Sequence, residues 1–285
     1  MNNVEIAFIG GSGLYKVPEV KNIKWKKISS NFGKPSSEIC IGRIHDKNIA
    51  FLPRHGKHHN ISPSNINYRA NIEILKKLGT EKIISLSAVG SLREDYAPGD
   101  FVLVDQFIDK TYLRKKTFFD DDLVVHIPLA NPICSELKKN IGETLNKLKI
   151  KFHYYGTYIC IEGPQFSTLA ESELYRSWGC DVIGMTNMPE AKLALEAGIC
   201  YSSVAMVTDY DCWHKNHDNV SVEKILKTLT ENSEKAVRLI SHFVRQDQSK
   251  CNQKTKELSK NSIITNVSKI KKETKIKIKN ILKIE

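Results

Sequence analysis

The chain predicts an α/β fold: a single domain with a mixed, largely parallel central β-sheet flanked by helices. Three observations predict it. Short β-branched runs recur through residues 4–207, helical periodicities occupy the spaces between them, and most runs end in small or polar residues.

The strand-like runs lie at residues 4–9, 49–52, 82–86, 101–104, 158–161, 182–185 and 199–207. The last, Ile199-Cys-Tyr-Ser-Ser-Val-Ala-Met-Val207, is bounded by Gly198 and reads as a buried strand that emerges at Thr208. A first helix is expected to be capped by Ser64, to carry Ala70, Ile74, Leu75 and Leu78, and to stop at Gly79. A second follows Ser167 and carries Leu169, Leu174 and Trp178 before Gly179. The longest runs over about residues 222–242, with Ser221 as its cap and Ile225, Leu226, Leu229, Ala236, Val237 and Ile240 at helical spacing. There is no internal repeat and no internal linker, so one boundary is expected near residue 245. It divides a domain of residues 1–245 from a Lys-rich extension of residues 246–285.

The 285 residues, 41% of them hydrophobic, suffice for a sizeable core, and no apolar run approaches the roughly 18 residues of a membrane span. The N-terminal Met-Asn-Asn-Val-Glu has no charged, signal-like leader, and a cytoplasmic protein is expected. Seven scattered cysteines without a Cys-x-x-Cys pair point to reduced, structural thiols, against a disulfide framework or a zinc site. The formal charge of +11 is uneven. Residues 246–285 hold eleven Lys against Asp247, Glu257, Glu273 and Glu285, so the tail carries +7 and residues 1–245 only +4. The body is nearly balanced and is not expected to bind nucleic acid or membrane. For the tail, a solvated or disordered extension is the expectation and a basic RNA or membrane contact the alternative. Within it, Lys275-Ile-Lys-Ile-Lys279 alternates like an exposed or edge strand.

Chemistry concentrates at the ends of the strand-like runs. In Met206-Val-Thr-Asp-Tyr-Asp-Cys-Trp213, Asp209 and Asp211 leave the last run where ligands bind in open α/β sheets. On spacing alone the same Asp-x-Asp serves turn chemistry equally well. The first run leads into Gly10-Gly-Ser-Gly-Leu14, whose glycines admit a close ligand and whose Ser12 offers a hydroxyl to an anion. Lys16 stands where a dinucleotide fingerprint has its third glycine, and no Walker Gly-Lys-Ser/Thr follows, so a plain tight turn fits as well. In Pro53-Arg-His-Gly-Lys-His-His59, the Arg54 fork and a donor on His55 suit a tetrahedral oxyanion. Metal binding by His55, His58 and His59 is the rival, without a nearby Cys or carboxylate to complete the set. Ser85-Leu-Ser-Ala-Val-Gly-Ser-Leu92 brings the Ser87 hydroxyl and nearby amides to the same oxyanion, and Thr186 stands just before Pro189 at a helix start.

Together these residues carry a resemblance. Gly10-Gly-Ser-Gly-Leu14, Arg54-His-Gly56, Asn67-Tyr-Arg-Ala-Asn71, Gly90-Ser-Leu-Arg93, Asp105-Gln-Phe-Ile-Asp109, Glu162-Gly-Pro-Gln-Phe166, Met185-Thr-Asn-Met-Pro-Glu190 and Thr208-Asp-Tyr-Asp-Cys-Trp213 resemble, in order, the motifs of the S-methyl-5′-thioadenosine phosphorylases. These are members of the trimeric branch of the purine nucleoside phosphorylases. The resemblance runs from about residue 4 to 243, and the tail beyond 245 does not visibly match.

The resemblance implies a purine nucleoside phosphorylase-like fold and reversible phosphorolysis of methylthioadenosine to adenine and 5-methylthioribose 1-phosphate, a step of methionine and purine salvage. Inorganic phosphate is then the co-substrate, no metal or organic cofactor is needed, and the assembly is a homotrimer with sites near subunit interfaces. By position it implies a phosphate site at Ser12, Arg54, His55, Ser87, Ala88 and Thr186, with Met185 along the sugar. Asp209 and Asp211 hold the base, Asp209 as the general acid, and Phe166 and Ser167 line the purine pocket. Val222 and Leu226 match the 5′-substituent region and, with Ser167, the specificity positions; His126 matches a residue contributed by the neighbouring subunit. An ionised carboxylate accepts from the N6 amino group of adenine, whereas the 6-oxo group of hypoxanthine would set two acceptors face to face. A 6-aminopurine is therefore the expected base, and a methylthioinosine-preferring enzyme the nearest alternative.

Overall fold

A computed structural model describes residues 4–11, 17–214, 222–246, 255 and 257–284, with the side chains of 222–225 outside that description. Its frame is an 11-stranded mixed sheet. Strands β1 (Ile6–Gly10), β4 (Lys47–Pro53), β5 (Lys82–Ser91) and β11 (Cys200–Asp209) run parallel in the order β4-β1-β5-β11. All four are almost wholly buried, which suits near-continuous apolar runs in strands covered on both faces. β2 (Lys21–Lys26) and β3 (Ile39–Ile44) extend one side as antiparallel ribbons. β6 (Phe101–Leu103) pairs with β11 and with β8 (Phe152–His153), while β7 (Gln106–Asp109), β9 (Thr157–Cys160) and β10 (Val182–Gly184) form the other wing.

Helices cover both faces. On one side α1 (Tyr68–Lys77) and α4 (Asn187–Glu196) place Ile72, Ile74, Leu75, Ala191 and Leu193 in one core. On the other, α2 (Ser135–Lys147) and α5 (Val222–Arg245) bury Leu137, Ile141, Leu145, Ala236, Leu239, Ile240 and Phe243 in a second. Their spacing, mostly by threes and fours, gives each helix one apolar stripe. The seven sequence-predicted strands and three helices are all present. The strands at 21–26, 39–44, 106–109 and 152–153 and the helix at 135–147 are additions, at positions where apolar periodicity is short or diluted by lysine. Ser64 is not the cap of α1. Asn67 is, its side chain accepting from the Ala70 N–H at 3.1 Å, while the Ser64 hydroxyl turns to the Glu162 carbonyl. Thr168, one residue beyond Ser167, caps α3 (Leu169–Ser177) in a reciprocal box with Glu171.

The lysine-rich tail differs most from expectation. Residues 257–284 are not a solvated extension: two short 3₁₀ turns lead into α6 (Lys272–Ile278), a helix where alternation indicates a strand. Ile270, Thr274, Ile278 and Leu282 recur every four residues and are all buried, whereas Ile276 is 52% exposed. Helical spacing thus puts the two isoleucines of Lys-Ile-Lys-Ile-Lys on opposite sides, one against the α1 core and one in water. Polar ties fix the dock: Asn280 Nδ2 donates to Glu73 Oε1 at 2.8 Å, Asn31 Nδ2 to the Lys277 carbonyl at 2.9 Å, and the Lys271 N–H to Asp122 Oδ2 at 2.7 Å. No helix among the described residues is long and apolar enough to cross a membrane.

Candidate active site

The site begins at a gap in the sheet. One edge of β5 pairs with β11 along Lys82–Gly90; the other pairs with β1 only as far as Ser85 and then with β10 at Gly90 and Ser91. Residues 86–89 are thus left without a strand on that edge, and a cavity of about 600 Å³ opens over them, within the usual range for a small-molecule site. Arg54, His55, Ser87, Ala88, Phe166, Ser167, Met185, Thr186, Asp209, Asp211 and Leu226 all line it. Ser12 and the Val222 side chain lie outside the described residues. His126 is exposed and does not line this cavity. Its backbone N–H donates to the Ser262 carbonyl at 3.0 Å, which joins its segment to the docked tail beside the bridge of Val125 to Ile263.

At the floor of the gap lies a buried polar network. Arg54 is 2% exposed and forms a two-pronged ion pair with Glu190 of α4, Nε to Oε2 at 2.8 Å and Nη2 to Oε1 at 3.1 Å. Ser85 Oγ and Tyr201 Oη donate to Glu190 Oε1 at 2.7 and 2.9 Å, so two strands and a helix converge on one carboxylate. The guanidinium fork expected for an oxyanion is therefore turned toward Glu190. Nη1, which donates to the Leu86 carbonyl at 3.1 Å, is the remaining nitrogen. Above it, Ser87 is 6% exposed and its Oγ has no hydrogen-bond partner among the described residues. Buried hydroxyls are seldom left so, and this one stands at the wall of a cavity, where a ligand's polar atom can reach it.

His55 differs from the expected donor. Its Nδ1 lies 2.8 Å from the Ile61 carbonyl, which only accepts, so Nδ1 carries the hydrogen. Burial, aided by the neighbouring Arg54 charge, pushes the ring's pKa down to about 4, so at neutral pH Nε2 is an acceptor. His55 and His59 stack at 4.3 Å, and among the described residues no three His, Cys, Asp or Glu side chains gather as a metal set.

Across the cavity, β11 ends in the two acids. The register passes from Val207 opposite Val89 to Asp209 opposite Gly90, so Thr208 is an extra, bulged residue. A Cβ on Gly90 would stand 3.1 Å from Asp209 Oδ1, so the glycine makes room for the carboxylate. Asp209 Oδ1 accepts the Asp211 N–H at 2.8 Å, with Asp211 in the left-handed region at φ 54°. The turn reading of Asp-x-Asp is therefore correct for one oxygen, and it leaves Oδ2 near the Thr208 hydroxyl at 2.7 Å. Ser167 Oγ donates to Asp211 Oδ2 at 3.1 Å. Burial pushes both acids' pKa up, and the facing Asp211 charge adds to the shift at Asp209.

Three structural contributors escape sequence reasoning. Glu190 and Glu162 are visible there only as parts of motifs, and Arg114 not at all. Arg114 pairs with Glu162 at 3.1 Å and donates to the carbonyls of Glu162 at 2.8 Å and Met185 at 2.7 Å, holding both loops at the cavity wall. The spacing of Pro189-Glu190, an acid in the first turn of a helix, is the available signal for Glu190; nothing in its own segment marks Arg114.

A mixed sheet opened along its central strand, with a hydroxyl that has no partner among the described residues and two largely desolvated acids lining one cavity, makes a site for a small polar ligand, and comparison with known proteins gives its class. The sequence model of the phosphorylase superfamily matches residues 5–245. An S-methyl-5′-thioadenosine phosphorylase of Rhodospirillum rubrum is 53% identical over 82% of this chain and 80% of its own length. One of Koribacter versatilis is 46% identical over 98% and 95%. The crystal structure of a methylthioadenosine phosphorylase from an antarctic soil metagenomic library superposes with a TM-score of 0.94 at 43% identity, covering 99% of this chain and 100% of that one. The chain belongs to the S-methyl-5′-thioadenosine phosphorylase family and is an enzyme, a phosphorylase. The matches that span nearly the whole chain include the tail, correcting the expectation that likeness ends near residue 245.

Proposed function

We propose that the enzyme catalyses the reversible phosphorolysis of S-methyl-5′-thioadenosine, giving adenine and 5-methylthioribose 1-phosphate. The observation that carries this reading is that Asp209 and Asp211 line one cavity with a Ser87 hydroxyl that has no partner among the described residues. The names borne by the relatives support the choice of nucleoside.

In this reading phosphate sits over residues 86–89, held by Ser87 Oγ, the Ala88 backbone, Arg54 Nη1, Thr186 and Ser12. His55 Nε2 accepts the hydrogen of a monohydrogen phosphate. Positioning the nucleophile is the main contribution of these groups. Phe166 and Ser167 flank the purine, Met185 lies along the sugar, and Asp211 accepts from N6. Asp209 gives its proton to N7 as the glycosidic bond breaks and a phosphate oxygen bonds to C1′. Leu226 and Val222 supply an apolar wall for the methylthio group. The exposed Tyr112, Leu113, Phe166 and Leu169 suit burial in a homotrimer in which His126 completes a neighbour's site. A cytoplasmic location accords with salvage of a soluble nucleoside.

The test is adenine release from methylthioadenosine with and without phosphate, beside methylthioinosine, adenosine and inosine. Phosphate-dependent release, fastest from methylthioadenosine, is expected. Faster turnover of methylthioinosine would overturn the assignment of the base, and phosphate-independent release would overturn phosphorolysis. Sedimentation at working concentration checks the trimer.

A further inference from the structure

Thr208 carries one hydroxyl hydrogen and has two oxygen neighbours. Its Oγ1 lies 3.1 Å from the Val89 carbonyl and 2.7 Å from Asp209 Oδ2. The bulge explains the first contact: Thr208 stands opposite no residue of β5, and its 5% exposed side chain reaches the carbonyl beside the slip. A carbonyl can only accept, so a hydroxyl that donates to Val89 presents only lone pairs to Asp209. The 2.7 Å contact is then satisfied when Oδ2 carries a proton. If Asp209 is ionised, the hydroxyl must turn to it and leave the Val89 oxygen without that donor. Both arrangements keep the same heavy-atom positions.

We propose that Thr208 is a positioning residue that partners Asp209 in both of its protonation states, accepting from the Oδ2–H before reaction and donating to the carboxylate after the proton has moved to the purine. The proposal deepens the reading of Asp209 as general acid and rests on it. In the step, the Oδ2–H bond breaks and the N7–H bond forms. The glycosidic electron pair passes into the purine, and the Thr208 hydrogen swings from Val89 to the new carboxylate. No backbone atom moves. The titratable group facing Asp209 among the described residues is Asp211 on the turn that follows; β5 brings Val89 and the side-chain-free Gly90. Among the described residues, no Lys, Arg or His forms an ion pair with either acid within 4.0 Å. Thr208 is thus the side chain placed to answer the charge Asp209 acquires.

The test compares Thr208→Val, which keeps the shape, and Thr208→Ser, which keeps the hydroxyl, with Asp209→Asn, across a pH profile of kcat. Loss of a donor to the carboxylate makes Asp209 a weaker acid. For Thr208→Val, kcat is expected to fall roughly tenfold or more, within the effect of a general acid, while the alkaline limb moves to higher pH. Phosphate KM is expected to stay within about twofold and Thr208→Ser to recover most of the loss. A merely structural loosening would admit more water to the largely desolvated acid and move that limb to lower pH. That result, an unchanged profile, or equal damage by Ser and Val would overturn the proposal. If Asp209→Asn keeps full activity, the general-acid reading fails and the proposal with it; impairment of Asp209→Asn beside an unaffected Thr208→Val sinks the proposal alone. Infrared spectra of the ligand-free wild type at neutral pH give a second check that needs no Thr208 variant. A protonated carboxyl stretch that Asp209→Asn removes is expected, and its absence overturns the proposal.

Discussion

Arg54 and Glu190, 136 positions apart in the chain, meet beneath the cavity as two parallel hydrogen bonds with both side chains 2% exposed. The Arg54 guanidinium is thereby held flat against the floor of the site, and one nitrogen, Nη1, lies toward the open edge of β5. The pair links the end of β4 to the first turn of α4.

Glu190→Ala is expected to lose about 3 to 5 kcal/mol of stability, because it strands a buried guanidinium without its counter-charge. Glu190→Gln keeps the shape and is expected to fold better, yet to raise phosphate KM as Arg54 loses its fixed orientation. Urea unfolding of both variants with phosphate titration checks the prediction; unchanged stability of Glu190→Ala would contradict it.

Ser87→Ala separates function from stability. Its hydroxyl makes no hydrogen bond among the described residues, so removal should leave stability unchanged or raise it by up to about 1 kcal/mol. A hydrogen bond to a charged phosphate is worth about 1.5 to 3 kcal/mol, so phosphate KM should rise roughly tenfold to a hundredfold. Thermal unfolding and phosphate saturation curves read the two effects, and an unaltered KM would remove Ser87 from the phosphate site.

Asp209→Asn retains the turn bond to the Asp211 N–H through its amide oxygen but cannot supply an acidic proton. A loss in methylthioadenosine cleavage on the order of 10² to 10⁴ is expected, with phosphate KM little changed. Equal turnover by the variant would take the acid role from Asp209.

Glu196 predicts a pH dependence of folding away from the cavity. Burial pushes its pKa up to about 7 from 4.5, even though the Phe118 N–H and Thr117 hydroxyl hydrogen-bond to it. Between those values the unfolded chain releases the proton that the folded chain keeps. Its contribution is therefore complete below about pH 4.5 and is lost as pH rises through 7, by roughly 3 kcal/mol in all. Chemical denaturation at several pH values should show a shallower slope over this window in Glu196→Gln; an identical slope would exclude Glu196 as its source.

The tail carries a prediction opposite to that for a solvated extension. Ile278, 1% exposed in the α1 core, should cost about 2 to 5 kcal/mol when changed to Ala, while Ile276→Ala on the water side should change little. Thermal melts of the pair check this, and equal effects would contradict the helical dock.

The main strands are legible in the sequence because buried parallel strands need unbroken apolar runs, and the site is legible because its polar residues stand where those runs end. What is illegible depends on distant partners. The Arg54 fork looks available because its own segment contains no acid; Glu190 is brought to it by α4. His55 looks like a donor because its hydrogen goes to Ile61, a backbone carbonyl no side-chain pattern records. The tail misleads for a different reason: Lys-Ile-Lys-Ile-Lys has period two, and only a longer window, from Ile270 through Thr274 and Ile278 to Leu282, shows the period of a helix.

The docked tail also sets an order of events during synthesis. Asp121, Asp122 and Val125, together with the His126 backbone, hold to Lys277, Lys271, Ile263 and Ser262, residues made much later than they are. A growing chain released only as far as α5 has its sheet and both acids but lacks these partners for the segment at 121–126. That segment reaches its final seat only when residues 262–277 have left the ribosome, so this stretch acts as a closing stitch over it.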